Sequence, residues 1–398
     1  MQQEYGTKPQ KTGDKYNIIL FFILLVAIIC VASLGYLKSK NIDISTINIK
    51  DLALEIFNFN KKNKIAEKMY EIKYDIKEKP VFCVYNEYLI KSTKDYFKAY
   101  DGYGNEAWGF YTKLSNPVLK TSGSWLILAD IGGKYICAIH GKEKKWEIEL
   151  PANIVNVSVN SDGYVCVIHE AKDSKSAVTV FDKTGVDIFT TYIGERFVLS
   201  AQISLNSKQM VINSIDTSGV KASTIFDFFD LMGNPVGTKV VFEKEIFPLC
   251  WYMSGNAVIA VNQNKVVCFD STGSIKWEQK ADGRKILCSN ISEGKYVIFA
   301  LSLDENDGAF AGNYSEIKIY STDGKFNESF KIDGEVVSIQ AYDGIIALNT
   351  GWEVYFYNIH GEEIGKYSSN VDITDVFFYS KSEAAVVNRS KVTVVKFD

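Results

Sequence analysis

The stretch KVVCFDSTGSIKWEQ, residues 265–279, has the pattern of two β-strands joined by a tight turn. Apolar and β-branched residues lie on both sides of the turn, as is typical of strands. Asp270 can accept hydrogen bonds from the backbone two residues on, and Gly273 supplies the positive φ that such a turn needs. The stretch therefore predicts a hairpin of a β-sheet.

Six further copies of this turn recur along the chain. Together with the first, their glycines are Gly104, Gly141, Gly185, Gly233, Gly273, Gly324 and Gly361. Successive glycines are 37 to 51 residues apart, which fits the length of a four-stranded propeller blade. Each unit is therefore predicted to contain three strands A, B and C, then the turn, then a fourth strand D.

The clearest copies share an acidic residue before the turn glycine and an aromatic residue after it, whereas others have His140, Ser321 or Asn358 at the acidic position. The residues assigned to this structural repeat are Asp101, Gly104, Trp108, Trp146, Asp182, Gly185, Asp270, Thr272, Gly273, Trp277, Gly324 and Gly361. Trp108, Trp146 and Trp277 are each expected to pack between neighbouring blades, where each buries a large apolar face. Because a repeated residue serves every blade, whereas a cofactor is bound once, the pattern predicts structure and no cofactor site.

The two ends of the chain predict how the ring closes. The final stretch VTVVKFD stops at Asp398, where an eighth turn would begin, so the last blade lacks its outer strand. The stretch 67–79, before the first blade, alternates apolar and polar residues and is predicted to fill that place, which removes an exposed sheet edge. We expect an all-β, eight-bladed β-propeller over 67–398. A seven-bladed ring is the alternative, because the fourth and sixth units are irregular.

A long uncharged apolar segment precedes the propeller. Residues 17–37, NIILFFILLVAIICVASLGYL, match the length of about 20 residues that spans a bilayer as a helix. The sequence therefore predicts a single transmembrane anchor embedded in lipid, after a short N-terminal tail at 1–16. The juxtamembrane linker 38–66 is compatible with a short amphipathic helix and equally with a partly ordered stalk.

The orientation of this anchor follows from the sizes of the flanking segments. Three lysines precede the span closely and three follow it, so the positive-inside rule gives no preference. The short N-terminus and the large C-terminal domain favour a cytoplasmic N-terminus and an extracellular propeller at the cell membrane. The seven cysteines favour the opposite orientation, because exported proteins usually pair or avoid thiols.

The best copy of the turn resembles the repeat of pyrroloquinoline-quinone-type propellers. It carries Asp270, Thr272, Gly273 and Trp277, with Cys268 where that repeat has alanine. The family includes quinoprotein dehydrogenases and an outer-membrane assembly lipoprotein without a cofactor, so the resemblance implies blade structure only. The whole arrangement also resembles uncharacterised bacterial single-pass membrane proteins grouped as a domain of unknown function.

The composition and motifs argue against several kinds of chemistry. The net charge is −4 and lysine and arginine form no block, so nucleic acid is excluded as a partner. Three scattered histidines and the lack of a C-x-x-C pair predict no metal site. The acidic stretch 302–316 lacks the spacing of a calcium-binding EF-hand loop. We therefore predict no catalytic residue, cofactor or metal ligand.

A binding surface is expected on the face that carries the D–A and B–C connections, because loops on a rigid scaffold often carry function. Its candidates stand at the predicted starts of A strands and in one long B–C loop: Asn116, Asn153, Arg196, Arg284, Glu335, Asp372, Asp304, Glu305 and Asp307.

These observations predict a non-catalytic scaffold of the cell envelope that binds a protein or other ligand, with an envelope protein or the cell wall as its partner. The alternatives are an envelope enzyme, such as a hydrolase or a degenerate quinoprotein, and the outer domain of a single-pass sensor. The fold alone does not decide between them.

Overall fold

The computed structural model describes residues 64–302 and 314–397. Contacts divide the chain into one unit at 1–63, which lies outside the described residues, and a second unit at 64–398. The predicted tail, anchor and most of the linker therefore fall outside the described part. Among the helices that the structure describes, none is long and apolar enough to span a bilayer.

The described residues form eight four-stranded antiparallel sheets, here called blades 1 to 8. The strands of the first four blades, in the order A to D, are β2 Val81–Tyr85, β3 Tyr88–Ser92, β4 Tyr96–Tyr100 and β5 Glu106–Tyr111; β6 Pro117–Ser122, β7 Trp125–Asp130, β8 Tyr135–His140 and β9 Glu143–Glu149; β10 Ile154–Val159, β11 Val165–His169, β12 Ser176–Phe181 and β13 Asp187–Ile193; β14 Arg196–Ile203, β15 Gln209–Asp216, β16 Ser223–Asp230 and β17 Val240–Phe242. The strands of the last four are β18 Leu249–Tyr252, β19 Val258–Val261, β20 Lys265–Phe269 and β21 Ile275–Lys280; β22 Ile286–Ser292, β23 Tyr296–Leu301, β24 Tyr314–Ser321 and β25 Phe326–Asp333; β26 Ser338–Tyr342, β27 Ile345–Asn349, β28 Glu353–Asn358 and β29 Glu363–Ser368; β30 Ile373–Phe378, β31 Glu383–Asn388, β32 Lys391–Lys396 and β1 Glu67–Lys73. The predicted all-β, eight-bladed propeller is thus confirmed, and the seven-bladed alternative is excluded.

Blade 8 is built from both ends of the chain. Its outer strand β1 pairs antiparallel with β32, with Tyr70 opposite Val394 and Ile72 opposite Val392. Residues just before β1 also contact blade 7: the backbone groups of Lys64 and Ala66 form hydrogen bonds of 2.8 Å with the backbone of Lys366. These two residues stand just before position 67, where the propeller is predicted to begin.

The core consists of apolar layers between neighbouring blades. The middle strands are buried on both faces, so they carry continuous apolar runs, as in the wholly buried β7. Between blades 4 and 5, Phe226 and Phe269 lie 4.9 Å apart, centroid to centroid, within one such layer. The stability of the ring therefore depends on contacts between blades as much as on pairing within them.

The aromatic residue of strand D packs against the turn glycine of the next blade. A Cβ built on Gly324 would stand 2.5 Å from Cγ of Trp277, and one built on Gly185 would stand 2.7 Å from Cγ of Trp146. Trp277 Nε1 also donates a hydrogen bond of 2.9 Å to the carbonyl of Thr322. Trp108 differs, because nothing lies within 4 Å of such an atom on Gly141. The turn glycines therefore provide room for a ring as well as a positive φ.

The ion pair that closes the ring gives a pH prediction. Glu71 of β1 pairs with Lys391 of β32 and, at 2.8 Å, with Lys68; these contacts lower the pKa of Glu71 to about 2. Because the folded pKa lies below the unfolded value, the pair stabilises the fold above about pH 4.3 and is lost as the pH falls toward 2. We expect Glu71→Gln to remove about 1 kcal/mol of this acid-dependent stability, measured by urea unfolding at pH 6 and pH 3.

The matched control for this pH prediction is Glu143→Gln. Glu143 also has a lowered pKa through its lysine partner Lys145, but it is highly exposed and its partner stands on the same strand, β9. We expect it to change the acid dependence less, and an equal change in both variants would contradict a special role for the closing pair.

Candidate functional site

The channel of the propeller opens on two different faces. The D–A face carries the D–A and B–C connections, which hydrogen-bond to each other: the backbone N–H of Ile373 donates to Gly351 at 2.6 Å, and that of Ile286 donates to Gln263 at 2.8 Å. The A–B face carries the A–B and C–D turns. The A strands run between the two faces and line the channel.

The predicted rim residues lie on the D–A face, but several are engaged within their own blades. Arg196 donates to Asp227 at 2.6 Å, and Asp372 accepts from Arg389 at 2.8 Å. Asn153 Nδ2 donates to Glu170 at 2.9 Å. These side chains therefore help to fix the connections of the D–A face.

The remaining rim residues differ in their bonding partners. Arg284 pairs with Glu316; burial opposes ionisation of Glu316, but hydrogen bonds from Ser329 and Arg284 outweigh it and lower its pKa. The backbone N–H of Asn116 donates to the carboxylate of Asp130 at 2.6 Å. Glu335 is exposed and makes no ion pair with the described residues. Asp304, Glu305 and Asp307 lie outside the described residues.

A set of exposed apolar residues accompanies this rim. Its members stand at or near the starts of A strands, or in a B–C connection: Val155, Phe197, Leu249, Val337, Trp352 and Val371. Phe197 is 49% exposed and Trp352 is 55% exposed. The sequence did not predict this apolar rim, because an apolar residue at the start of a strand has the same pattern as a core residue. The signal that could have identified these residues is their position beside a polar rim residue.

Two cavities lie at the other end of the channel. One has a volume of about 1080 Å³ and is lined by blades 1, 2, 7 and 8; a second, of about 420 Å³, is lined mainly by blades 2 to 5. Lys120 and Trp251 line both cavities. The larger one reaches Glu87 and Gly123, which belong to A–B turns. The concave space therefore opens on the A–B face, opposite to the predicted binding face.

Many polar side chains in the channel bond to the backbone of the adjacent A strand. Ser158 of blade 3 donates to Ala201 of blade 4 at 2.6 Å, and Gln202 donates to Cys250 of blade 5 at 2.8 Å. Asn290 of blade 6 donates to the carbonyl of Ile339 of blade 7 at 2.7 Å. These polar groups join blades, so their presence in the channel is not a sign of ligand binding.

The side chains of two charged channel residues make no such hydrogen bond between blades. The side chain of Lys120, on β6, has neither a hydrogen bond nor an ion pair with any residue that the structure describes. Asp375 of β30 lacks a hydrogen-bond partner in the same part of the chain, and its surroundings raise its pKa by removing water from the carboxylate.

Other reactive side chains have structural surroundings. Cys83, Cys137, Cys166, Cys250, Cys268 and Cys288 are free thiols, and burial raises the pKa of each. His169 contacts the hydroxyl of Thr179 at 2.8 Å. Within 64–302 and 314–397, no three His, Cys, Asp or Glu side chains are placed to hold one metal ion.

Eight four-stranded sheets around one channel define this chain as an eight-bladed β-propeller. It belongs to a family of unknown function, DUF5711, whose model matches residues 58–397. No curated protein matches the chain.

Several solved structures are similar to this chain. BamB from Moraxella catarrhalis has 14% identity and a TM-score of 0.51, covering 84% of this chain and 100% of its own. Sqt1 from Chaetomium thermophilum, bound to the N-terminus of the ribosomal protein L10, has 9% identity and a TM-score of 0.54, with coverages of 78% and 94%. Hsv2 from Kluyveromyces lactis has 13% identity and a TM-score of 0.50, with coverages of 69% and 91%. At these identities the similarity shows the fold alone.

Proposed function

We propose that this protein is a membrane-anchored, non-catalytic scaffold, with propeller repeats of the pyrroloquinoline-quinone type, that binds another protein of the cell envelope through its D–A face. The observation that carries the proposal is the exposed apolar rim described above. The six residues stand on one face, and an apolar patch exposed on a folded domain often marks an interaction site.

The composition of the D–A face supports a protein partner. Protein interfaces combine an apolar centre with a polar rim, and their strongest contacts are often made by tryptophan and other aromatic residues. Trp352 and Phe197 supply such aromatic groups, and the paired charges of Arg196 and Asp372 stand beside the apolar rim. The similar propeller Sqt1 was solved with a segment of another protein bound, which illustrates this use of the fold.

The A–B face also carries exposed apolar residues, including Leu205 and Tyr342 at A–B turns, and the residues of its outer C–D turns are the simplest to compare. Val186, Met232 and Ile275 are exposed there, one to a blade, on the outer C–D turns. Single exposed apolar residues are common on protein surfaces. They serve as controls for the apolar rim.

The anchor and its orientation are part of the proposal. Residues 17–37 have the length and composition of a membrane span, and the short segment before them favours an extracellular propeller. Protease added to intact cells should therefore digest the propeller. Full protection of the propeller would contradict the extracellular location.

Site-specific photo-crosslinking tests the binding face. A photo-reactive amino acid replaces Trp352 on the D–A face or, as the control, Ile275 on the A–B face, in cells that express the full chain. We expect one discrete crosslinked protein from position 352, and we expect the additional change Phe197→Asp to abolish it. Equal crosslinking from both positions, or a product that is insensitive to Phe197→Asp, would reject the D–A face as the binding surface.

A further inference from the structure

The inner edges of the blades differ in how far side chains already occupy their backbone groups. Each A strand is the inner edge of its sheet, so it presents backbone groups to the channel. In blades 4, 5 and 7, side chains of the preceding blade donate to carbonyls on these edges. Among the described residues, no side chain donates to a carbonyl of β2, β6, β10 or β22, and of these four strands β2 and β6 line the larger cavity. These two edges therefore retain backbone acceptors that an added extended chain can use.

Blades 1 and 2 also border the larger cavity, and its positively charged side chain comes from blade 2. Lys120 is the one lysine or arginine among the residues that line either cavity. It lines both of them, and it is exposed inside the channel without a partner among the described residues. An unpaired ammonium group in a partly enclosed space is suited to a single carboxylate, with which it forms a charge-assisted hydrogen bond.

Aromatic side chains line the same cavities as this cation. Trp251 of blade 5 lines both cavities, as Lys120 does, and the wall of the larger cavity also includes Phe82, Tyr85 and Phe377. Such a lining favours a ligand with an apolar side chain next to its charge. The carboxylate of Glu87 at the mouth of the same cavity disfavours a ligand with several negative charges.

We propose that the channel binds the C-terminal end of another polypeptide, entering from the A–B face. The backbone of the peptide pairs with the free edges of β2 and β6, as in the addition of a strand to an exposed sheet edge. Its terminal carboxylate meets Lys120, and the last side chain packs against Trp251. This site is separate from the D–A face and does not depend on the function proposed above.

A pair of peptide libraries tests the proposal. The full-length chain is mixed with acetylated hexapeptides of random sequence that end either in a free carboxylate or in an amide, and bound peptides are identified by mass spectrometry. We expect enrichment from the carboxylate library only, with apolar last residues. The affinity of the most enriched peptide should be at least tenfold higher than that of its amide, as measured by fluorescence anisotropy.

Three variants locate the site. Lys120→Met should lower the affinity for the enriched peptide at least tenfold while leaving the melting temperature of the protein unchanged. Lys134→Met, which changes an exposed lysine between β7 and β8, should leave the affinity unaltered, and so should Trp352→Asp on the D–A face.

Several results would overturn the proposal. These are no enrichment from either library, equal binding of acid and amide, and normal affinity in Lys120→Met. Loss of binding in Trp352→Asp would place the peptide on the D–A face instead. Competition by N-acetyl-leucine at the same concentration as the hexapeptide would show that the ligand is a small acid and not a chain end.

Discussion

A chain that begins at Asp75 is expected to be at least about 4 kcal/mol less stable than one that begins at Lys64, because it lacks β1. The loss removes Tyr70, whose ring lies against Gly104 of blade 1 and whose hydroxyl donates to the carbonyl of Asp101 at 3.2 Å. It also leaves β32 as an unpaired edge, which promotes association between chains. Since a domain is held by about 5–15 kcal/mol, much of the ring's stability depends on this strand.

Denaturant unfolding followed by tryptophan fluorescence measures this difference, and size-exclusion chromatography detects the expected association. The chain that begins at Lys64 is the matched control, since both chains lack the predicted anchor. A synthetic peptide of residues 64–76, added in trans, should restore part of the lost stability. Equal unfolding midpoints for the two chains would show that blade 8 is stable with three strands and that closure by β1 is not needed.

The repeat and the closing strand could be predicted because their signals are local. An Asp side chain that accepts from the backbone two residues on, as Asp182 does from Thr184 at 2.8 Å, leaves a pattern within five residues of sequence. The alternation around Tyr70 and Ile72 likewise identifies a half-buried strand. Both signals depend on neighbours in the sequence, so a single chain contains them in full.

The chemistry of the channel could not be predicted in the same way. The pair of Arg196 and Asp227 joins residues 31 positions apart, and nothing in the sequence of either strand indicates it. The sequence around Lys120 does not distinguish it from other lysines on strands, and only the three-dimensional arrangement shows that its side chain has no partner among the described residues. The apolar rim was missed for a related reason, since Phe197 has the same local pattern as a core residue and is exposed only because it lies at a channel mouth.

Trp277→Ala is expected to lower the free energy of unfolding by about 3 kcal/mol, because it removes a large ring that packs between blades 5 and 6. Its hydrogen bond to the carbonyl of Thr322 is lost at the same time. Denaturant unfolding measures the effect. Trp352→Ala is the control: its side chain is largely exposed, so a change within about 0.5 kcal/mol is expected. Near-normal stability of Trp277→Ala would contradict the inter-blade role of this ring.

The contact between Trp277 and Gly324 can be isolated by a double-mutant cycle. In the wild-type background, Gly324→Ala adds a Cβ at 2.5 Å from the tryptophan ring and also places alanine at a φ of +80°. In the Trp277→Ala background the steric overlap is gone, and only the backbone cost of about 1–2 kcal/mol remains. The two changes together should therefore destabilise the fold by at least about 1 kcal/mol less than the sum of the single changes. Strict additivity would show that the glycine is needed for its φ alone and that the ring does not select it.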